Sequence, residues 1–215
     1  MNFSLILPAL FLCSLANCQE NAGAGQPAGK PVGGYCEGCE AIYECPVSFD
    51  DLNNVDSLPD FNLRGPKLEL SGFIYHSDGH TPAANVILYI YHTNWEGIYP
   101  TRGNEQGWAK RHGYIRGWIK TGPDGFYKFY TRLPGSYPKS KNPKHIHPVI
   151  KEPGLNEYWI DEFLFAGDPF LKGQKLNSSP RGGNGMVKPV MTDGTLKATR
   201  HIILGLNVPG YPSAK

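Results

Sequence analysis

The chain has no dominant charge, no internal repeat of fixed period and no sustained helical periodicity, and each absence narrows what it can be. A formal net charge of +2 over 215 residues gives no reason to invoke nucleic acid or an anionic membrane surface. Without a repeat, solenoids and propellers drop out. Without apolar residues recurring at three and four positions, a helical bundle drops out too. What is abundant is Gly (26) and Pro (19), with aromatics at 12%, a composition that favours short strands joined by many turns. At 40% hydrophobic and 19% charged, the chain is ordinary globular material, long enough to bury one core.

Long apolar runs are lacking as well. Leu5 to Leu12, broken by Pro8, is too short to span a bilayer and has the character of a signal-peptide core, although Met1-Asn2-Phe3-Ser4 carries no Lys or Arg. Two processing readings stay open. Leu15-Ala16-Asn17-Cys18 resembles a lipobox, which would lipidate Cys18 and attach the protein to a membrane; Ser14-Leu15-Ala16 is a small-x-small site, which would release it. Both imply export. Residues 1–18 are therefore read as a signal segment, 19–34 as a Gly/Ala/Pro tether, 35–66 as a cysteine-containing arm and 67–215 as the folded body. Cys36, Cys39 and Cys45 fall within ten residues with no local fourth metal ligand, so a disulfide among them is favoured over structural zinc.

The body reads as strands and turns. Leu68 to Tyr75 and Val86 to Tyr91 flank the turn signal Ser77-Asp-Gly-His80. Tyr114 to Thr121, Gly122-Pro-Asp-Gly125 and Phe126 to Thr131 read as a hairpin, and Tyr158 to Phe165 and Thr199 to Leu206 supply two further strands. A turn of helix is expected near Asp168 to Gly173, and Asp51 to Gly65 as an extended arm. The fold class expected is all-β, an antiparallel β-sandwich.

His145-Ile-His147 is the most pointed chemical signal. On a strand, residues i and i+2 share one face about 7 Å apart, so two imidazoles held this way can converge on one metal. Tyr99 ends the turn Asn94-Trp-Glu-Gly-Ile-Tyr99, and Tyr137 sits in the stiff turn Leu133-Pro-Gly-Ser-Tyr-Pro138 just before the histidine pair. A bound cation can hold a phenol as phenolate, and two hard phenolates with two imidazoles favour ferric iron over zinc.

At these residues the chain resembles the intradiol ring-cleavage dioxygenases, the family of protocatechuate 3,4-dioxygenase and catechol 1,2-dioxygenase. Five segments match in order between Leu68 and Leu206: Ile87 to Tyr99, the Arg116 to Phe129 segment with Asp-Gly-x-Tyr-x-Phe, Leu133 to Pro138, Pro143-Lys-His-Ile-His147, and Phe163-Leu-Phe-Ala-Gly-Asp-Pro169. The resemblance implies an Fe(3+) cofactor held by Tyr99, Tyr137, His145 and His147. It implies that Tyr137 is the axial ligand, leaving and taking a proton when a catechol binds as a dianion. It also implies that a small aromatic diol and O2 are converted to a cis,cis-muconate, with a protocatechuate-like substrate as the expectation and a homo-oligomer left open. Two positions depart from the family pattern and are read as substrate-facing: Asn142, where Arg is usual, and Glu162, where Gln is common. Arg102, Arg111 and Arg116 are candidates to supply the missing positive charge from another strand. Two alternatives remain open here, an exported transthyretin-like binding module and a family member that keeps iron without turnover.

Overall fold

The computed structural model describes residues 31–63 and 65–212, so the expected signal segment, Cys18 and most of the expected tether lie outside the described residues. The chain's last tether residues do not behave as a tether. Val32 is buried in the core, its N–H donating to Asn156 Oδ1 (2.9 Å), and Gly33 N–H donates to the Pro209 carbonyl (2.7 Å). No helix among the described residues is long and apolar enough to cross a membrane.

Twelve strands are described. In chain order they are β1 (Val55–Ser57), β2 (Lys67–Tyr75), β3 (Ile87–Tyr91), β4 (Arg116–Lys120), β5 (Phe126–Arg132) and β6 (His145–Lys151). Then follow β7 (Tyr158–Trp159), β8 (Phe163–Phe165), β9 (Met186–Val187), β10 (Val190–Thr192), β11 (Thr195–Thr199) and β12 (Ile202–Ile203). They form two sheets, ordered β1-β5-β2-β11-β10 and β4-β3-β6-β8-β9, with β12 also on β2 and β7 also on β6. The sandwich is thus present, with four parallel pairings in it: β1–β5, β2–β11, β2–β12 and β8–β9. These arise because segments from both ends of the chain are laid onto central strands. Strand β2 shows the period-two logic plainly, burying Leu68, Leu70 and Ile74 on one side. From the opposite sheet Leu88, Ile90, Ile146 and Ile150 point inward to meet them, with Phe129 and Phe163, in one core.

Three expectations need correction. The turn Gly122–Gly125 forms, with Gly125 N–H donating to the Gly122 carbonyl (3.0 Å), but it does not close a hairpin. Strand β4 pairs with β3, and β5 pairs with β2, so the turn carries the chain from one sheet to the other. Thr121 secures the crossing, its hydroxyl donating to the Ala83 carbonyl (2.7 Å) and accepting from Val86 N–H (3.0 Å). Tyr158 to Phe165 is not one strand: β7 and β8 pair with opposite ends of β6. Asp51 to Gly65 is not merely an arm, because β1 within it is an edge strand of the first sheet. Near Asp168 the expected turn is a 3-10 turn, Pro169–Leu171, capped by the Asp168 carboxylate accepting from Phe170 N–H (2.8 Å).

The second sheet is covered on both faces. Its outer face carries Ile87, Tyr89, Trp118 and Val149, and the 3-10 turn Cys39–Glu44 packs over them through Cys39, Ala41 and Ile42. Trp118 Nε1 donates to the Ile42 carbonyl (2.9 Å), which satisfies an indole that would otherwise be buried without a partner. Cys36 and Cys39 are bonded to each other and Cys45 is free, so the disulfide expected among the three is the short one.

Candidate metal centre

The histidines of β6 lie on the outer face of the second sheet. Ile146 and Ile150 take the inner face and are fully buried, which forces His145 and His147 outward. Two turns deliver the tyrosines to the same place. Asn94 Oδ1 accepts from the N–H groups of Glu96 (3.0 Å) and Ile98 (3.1 Å), shaping the turn that ends at Tyr99. This turn and the one carrying Tyr137 interlock backbone to backbone. Gly135 N–H donates to the Asn94 carbonyl (2.8 Å), and Thr93 Oγ1 donates to the Gly135 carbonyl (2.8 Å). Gly97 takes a left-handed φ of 80°, and a Cβ there would stand 1.9 Å from the Ser136 carbonyl oxygen; a Cβ on Gly135 would stand 2.3 Å from the Trp95 oxygen. Only glycine allows the two loops to approach so closely.

The result brings four polar atoms together. Tyr99 Oη and Tyr137 Oη are 2.7 Å apart, and His147 Nε2 lies 2.9 Å from Tyr99 Oη. His145 Nε2 lies 3.1 Å and His147 Nε2 3.4 Å from Tyr137 Oη. His145 Nδ1 is 2.7 Å from the Pro143 carbonyl oxygen, which can only accept, so Nδ1 carries the proton and Nε2 presents a lone pair to the cluster. Burial lowers the His147 pKa to about 3, with His145 a further contributor, which keeps this imidazole neutral at physiological pH. Burial pushes the Tyr99 and Tyr137 phenols up, so without a cation both stay protonated. These properties suit a hard cation, because neutral imidazoles are ready donors and a cation would favour ionisation of the phenols. Among the described residues no group of three or more His, Cys, Asp and Glu is placed to hold a metal, so the two phenols are required to complete a ligand set. The donors fit Fe(3+).

The substrate-facing expectations divide. Glu162 follows β7 and puts Oε1 3.8 Å from His147 Nδ1, at the edge of the cluster. Asn142 is exposed, its N–H donating to Ser140 Oγ (3.2 Å), and the structure does not bring it to the four donors. Of the three arginines, Arg102 stands over the Tyr114 ring (4.4 Å) and Arg116 pairs with Glu44 (2.6 Å). Arg111 comes nearest, lining a cavity of about 220 Å³ with Tyr99, and it is ion-paired with Glu37.

Sequence reasoning missed the rings that brace the site. Tyr91 stacks on His147 (4.6 Å) on one side and His112 (3.7 Å) on the other, and His112 Nδ1 is 2.9 Å from Tyr89 Oη. Alternation within β3 placed Tyr89 and Tyr91 on one face, but the register that sets Tyr91 opposite His147 belongs to two strands far apart in sequence. The largest cavity described, about 680 Å³ beside Glu44, Arg102, Tyr114 and Arg116, is lined by none of the four donors. Chemistry, not size, selects the site.

No family model matches the chain. Catechol 1,2-dioxygenase 1 of Acinetobacter lwoffii is 28% identical, over 57% of this chain and 42% of that protein, so the chain spans less than half the length of this relative. Among solved structures, the dioxygenase domain of a dioxygenase–carbohydrate-binding protein fusion from Streptomyces sp. SirexAA-E aligns with a TM-score of 0.57 and 23% identity, covering 75% of this chain and 94% of that one. Catechol 1,2-dioxygenase from Acinetobacter sp. ADP1 aligns at 0.55 and 22%, over 70% and 56%. An intradiol ring-cleavage dioxygenase from Tetranychus urticae aligns at 0.52 and 19%, over 76% and 92%. At these identities the structural likeness establishes the fold.

Proposed function

We propose that this chain is a member of the intradiol ring-cleavage dioxygenase family, a ferric-iron dioxygenase that cleaves a catechol between its two hydroxylated carbons to a cis,cis-muconate, a reading supported by its likeness to catechol 1,2-dioxygenase 1 and by the shared fold. The observation that carries this reading is the convergence of Tyr99 Oη, Tyr137 Oη, His145 Nε2 and His147 Nε2 within hydrogen-bonding distance of one another. A transthyretin-like structural module has no use for such a set.

Tyr99, Tyr137, His145 and His147 would hold the iron. When bound, Fe(3+) supplies Lewis acidity and draws electron density from the diol so that O2 can attack the ring. The chain's own residues bind and orient around that event. Tyr137 Oη contacts Tyr99 Oη and both imidazoles, so it is placed to take a proton from the incoming diol and later return it. Tyr99 is held by the interlocked turns, and His147 by its stack on Tyr91. Metal analysis and an optical spectrum of the purified protein test the reading, with about one iron per chain and a visible phenolate-to-iron band expected. Anaerobic addition of catechol should add a second band that decays to muconate on admitting O2. A colourless protein that takes up no iron on reconstitution would overturn it.

A second reading has its own support: a family member that keeps iron without turnover. Asn142 is exposed, and Arg102, Arg111 and Arg116 are each engaged with another group, so none of the three candidate guanidiniums is free to replace the missing charge. A catecholate band that persists in air distinguishes it. We also propose export, for which the Cys36–Cys39 disulfide and the apolar run from Leu5 to Leu12 are the support. Membrane attachment through a lipidated Cys18 is the favoured form, and mass spectrometry of the mature N terminus checks it.

A further inference from the structure

A catechol anchored at the four donors must place the rest of its ring and any side chain against the walls beside them. Two described cavities touch a donor. One, about 220 Å³, adjoins Tyr99, and the other, about 140 Å³, adjoins His147. Both are lined by Tyr91 and by Glu37, so Glu37 stands where the two meet and a substituent entering either one encounters its carboxylate.

The position of Glu37 is built into the fold. It lies inside the loop closed by the Cys36–Cys39 disulfide. The next residue, Gly38, has a left-handed φ of 87°, and a Cβ there would meet His112 Nε2 at 2.9 Å and a Trp108 ring carbon at 3.2 Å. The loop therefore sits directly on the aromatic stack that braces His147, and the glycine is what lets it descend.

The charges around the substrate space are unequal. The cavity beside His147 is lined by the carboxylates of Glu37 and Glu162 and by no lysine or arginine. In the cavity beside Tyr99 Arg111 and Glu37 form an ion pair and largely cancel each other, so the carboxylate with no directly paired lysine or arginine is Glu162, while Glu37 keeps Arg111 from an incoming acid. Two further guanidiniums lie nearby, and Arg200 is close enough to interact electrostatically with Glu162 and so offset it in part, without a direct ion pair. Arg181 stands over the Trp159 ring (3.7 Å), and Arg200 donates to the Asp161 and Gly183 carbonyls (2.7 and 3.2 Å); neither forms an ion pair with Glu37 or Glu162. Neither face of Tyr91 is open to a ligand cation, because His112 and His147 occupy both. Recognition of a charged substituent thus falls to the carboxylates. An ammonium would be attracted, whereas a carboxylate would be repelled beside His147 and would have to displace Glu37 from Arg111 beside Tyr99.

We propose that the site selects catechols with a cationic or neutral side chain over those bearing a carboxylate, and that Glu37 and Glu162 set this preference. The inference rests on the catechol-binding reading above, and it replaces the protocatechuate-like substrate expected from resemblance. The test is anaerobic titration of the iron-loaded full chain with three matched probes: 4-(2-aminoethyl)catechol, 4-ethylcatechol and 3,4-dihydroxyphenylacetate. Dissociation constants are read from the catecholate band rather than from turnover. Because both carboxylates are partly solvated, the amine should bind about tenfold more tightly than the acid at low ionic strength, and the gap should narrow with salt. The ratio of the two constants is compared within each variant, so changes in iron loading cancel. Glu162→Gln should shrink the ratio. Glu37→Gln should shrink it further, because it also frees Arg111 for the acid. Equal or tighter binding of the acid by the unmodified protein, or a ratio unchanged in the double variant, overturns the proposal while leaving the catechol-binding reading intact. Absence of a band with all three probes overturns both.

Discussion

The two faces of the second sheet make opposite use of the same strands. Inward, β3 and β6 present Leu88, Ile90, Ile146 and Ile150, apolar side chains that share the core with Phe129 and Phe163. Outward, the same strands present Tyr89, Tyr91, His145 and His147, rings with polar atoms that must each find a partner. The inner face is held by area removed from water, which is tolerant of detail and large in sum. The outer face has its own smaller apolar cluster under the Cys39–Glu44 turn, but its histidine end is held by register, stacking and a few directed contacts. Stability therefore resides mainly inside and chemistry outside, so the two should fail separately.

The sharpest separation is expected from His147→Ala. Iron content and the visible band should be lost outright, while unfolding of the metal-free protein by urea should shift by no more than about 2 kcal/mol, since no core contact is removed. A variant that fails to fold would show that the histidine end of this face supports the fold as the apolar cluster beside it does. The converse is Phe129→Ala, which empties a fully buried site and should cost about 3–5 kcal/mol by the same urea measurement. The fraction that remains folded should still bind iron and show the same band. Loss of colour in the folded fraction would break the comparison from the other side.

Acid should loosen both faces by the same mechanism. Buried His92 has Nδ1 2.7 Å from the Thr93 carbonyl oxygen, so Nδ1 is the donor and Nε2 accepts from the Thr131 hydroxyl (2.7 Å). Burial lowers its pKa from 6.5 to about 4. Between these values the unfolded chain binds a proton that the folded chain refuses, so His92's contribution is complete above pH 6.5 and falls away as pH drops towards 4. Burial lowers His112 to about 4 and His147 to about 3, so they act with the same sign. Urea unfolding of the metal-free protein at pH 7 and pH 4.5 should show a loss of about 2–3 kcal/mol from His92 alone. No loss would mean that these rings are not kept neutral by burial.

The smallest effect is expected where the family pattern is most plainly broken. Asn142 is exposed and outside the cluster, so Asn142→Arg should alter catechol affinity and kcat/KM by no more than about twofold, as for an ordinary surface change. A gain of an order of magnitude would show that this loop moves onto the substrate.

Period-two patterning made much of this legible from sequence. It assigned His145 and His147 to one face and predicted strands that overlap β2, β3, β5 and β8. The turns before the histidine pair singled out Tyr99 and Tyr137, but among 12 Tyr only the ordered resemblance raised them to ligands. What could not be read was partnership between distant segments. Turn chemistry at Gly122–Gly125 specifies a reversal but not which sheet receives the next strand, and the hairpin expectation failed there. Nor could residue order show that Glu37, on the cysteine-containing arm, forms a wall beside His147.

Alternation along β6 also bears on how such a protein can age. A lineage that exchanges His145 or His147 for other residues gives up part of the donor set, yet Ile146 and Ile150 continue to anchor the strand in the interior. Loss of the donors need not bring loss of the fold, because the two are carried by alternate residues of one strand.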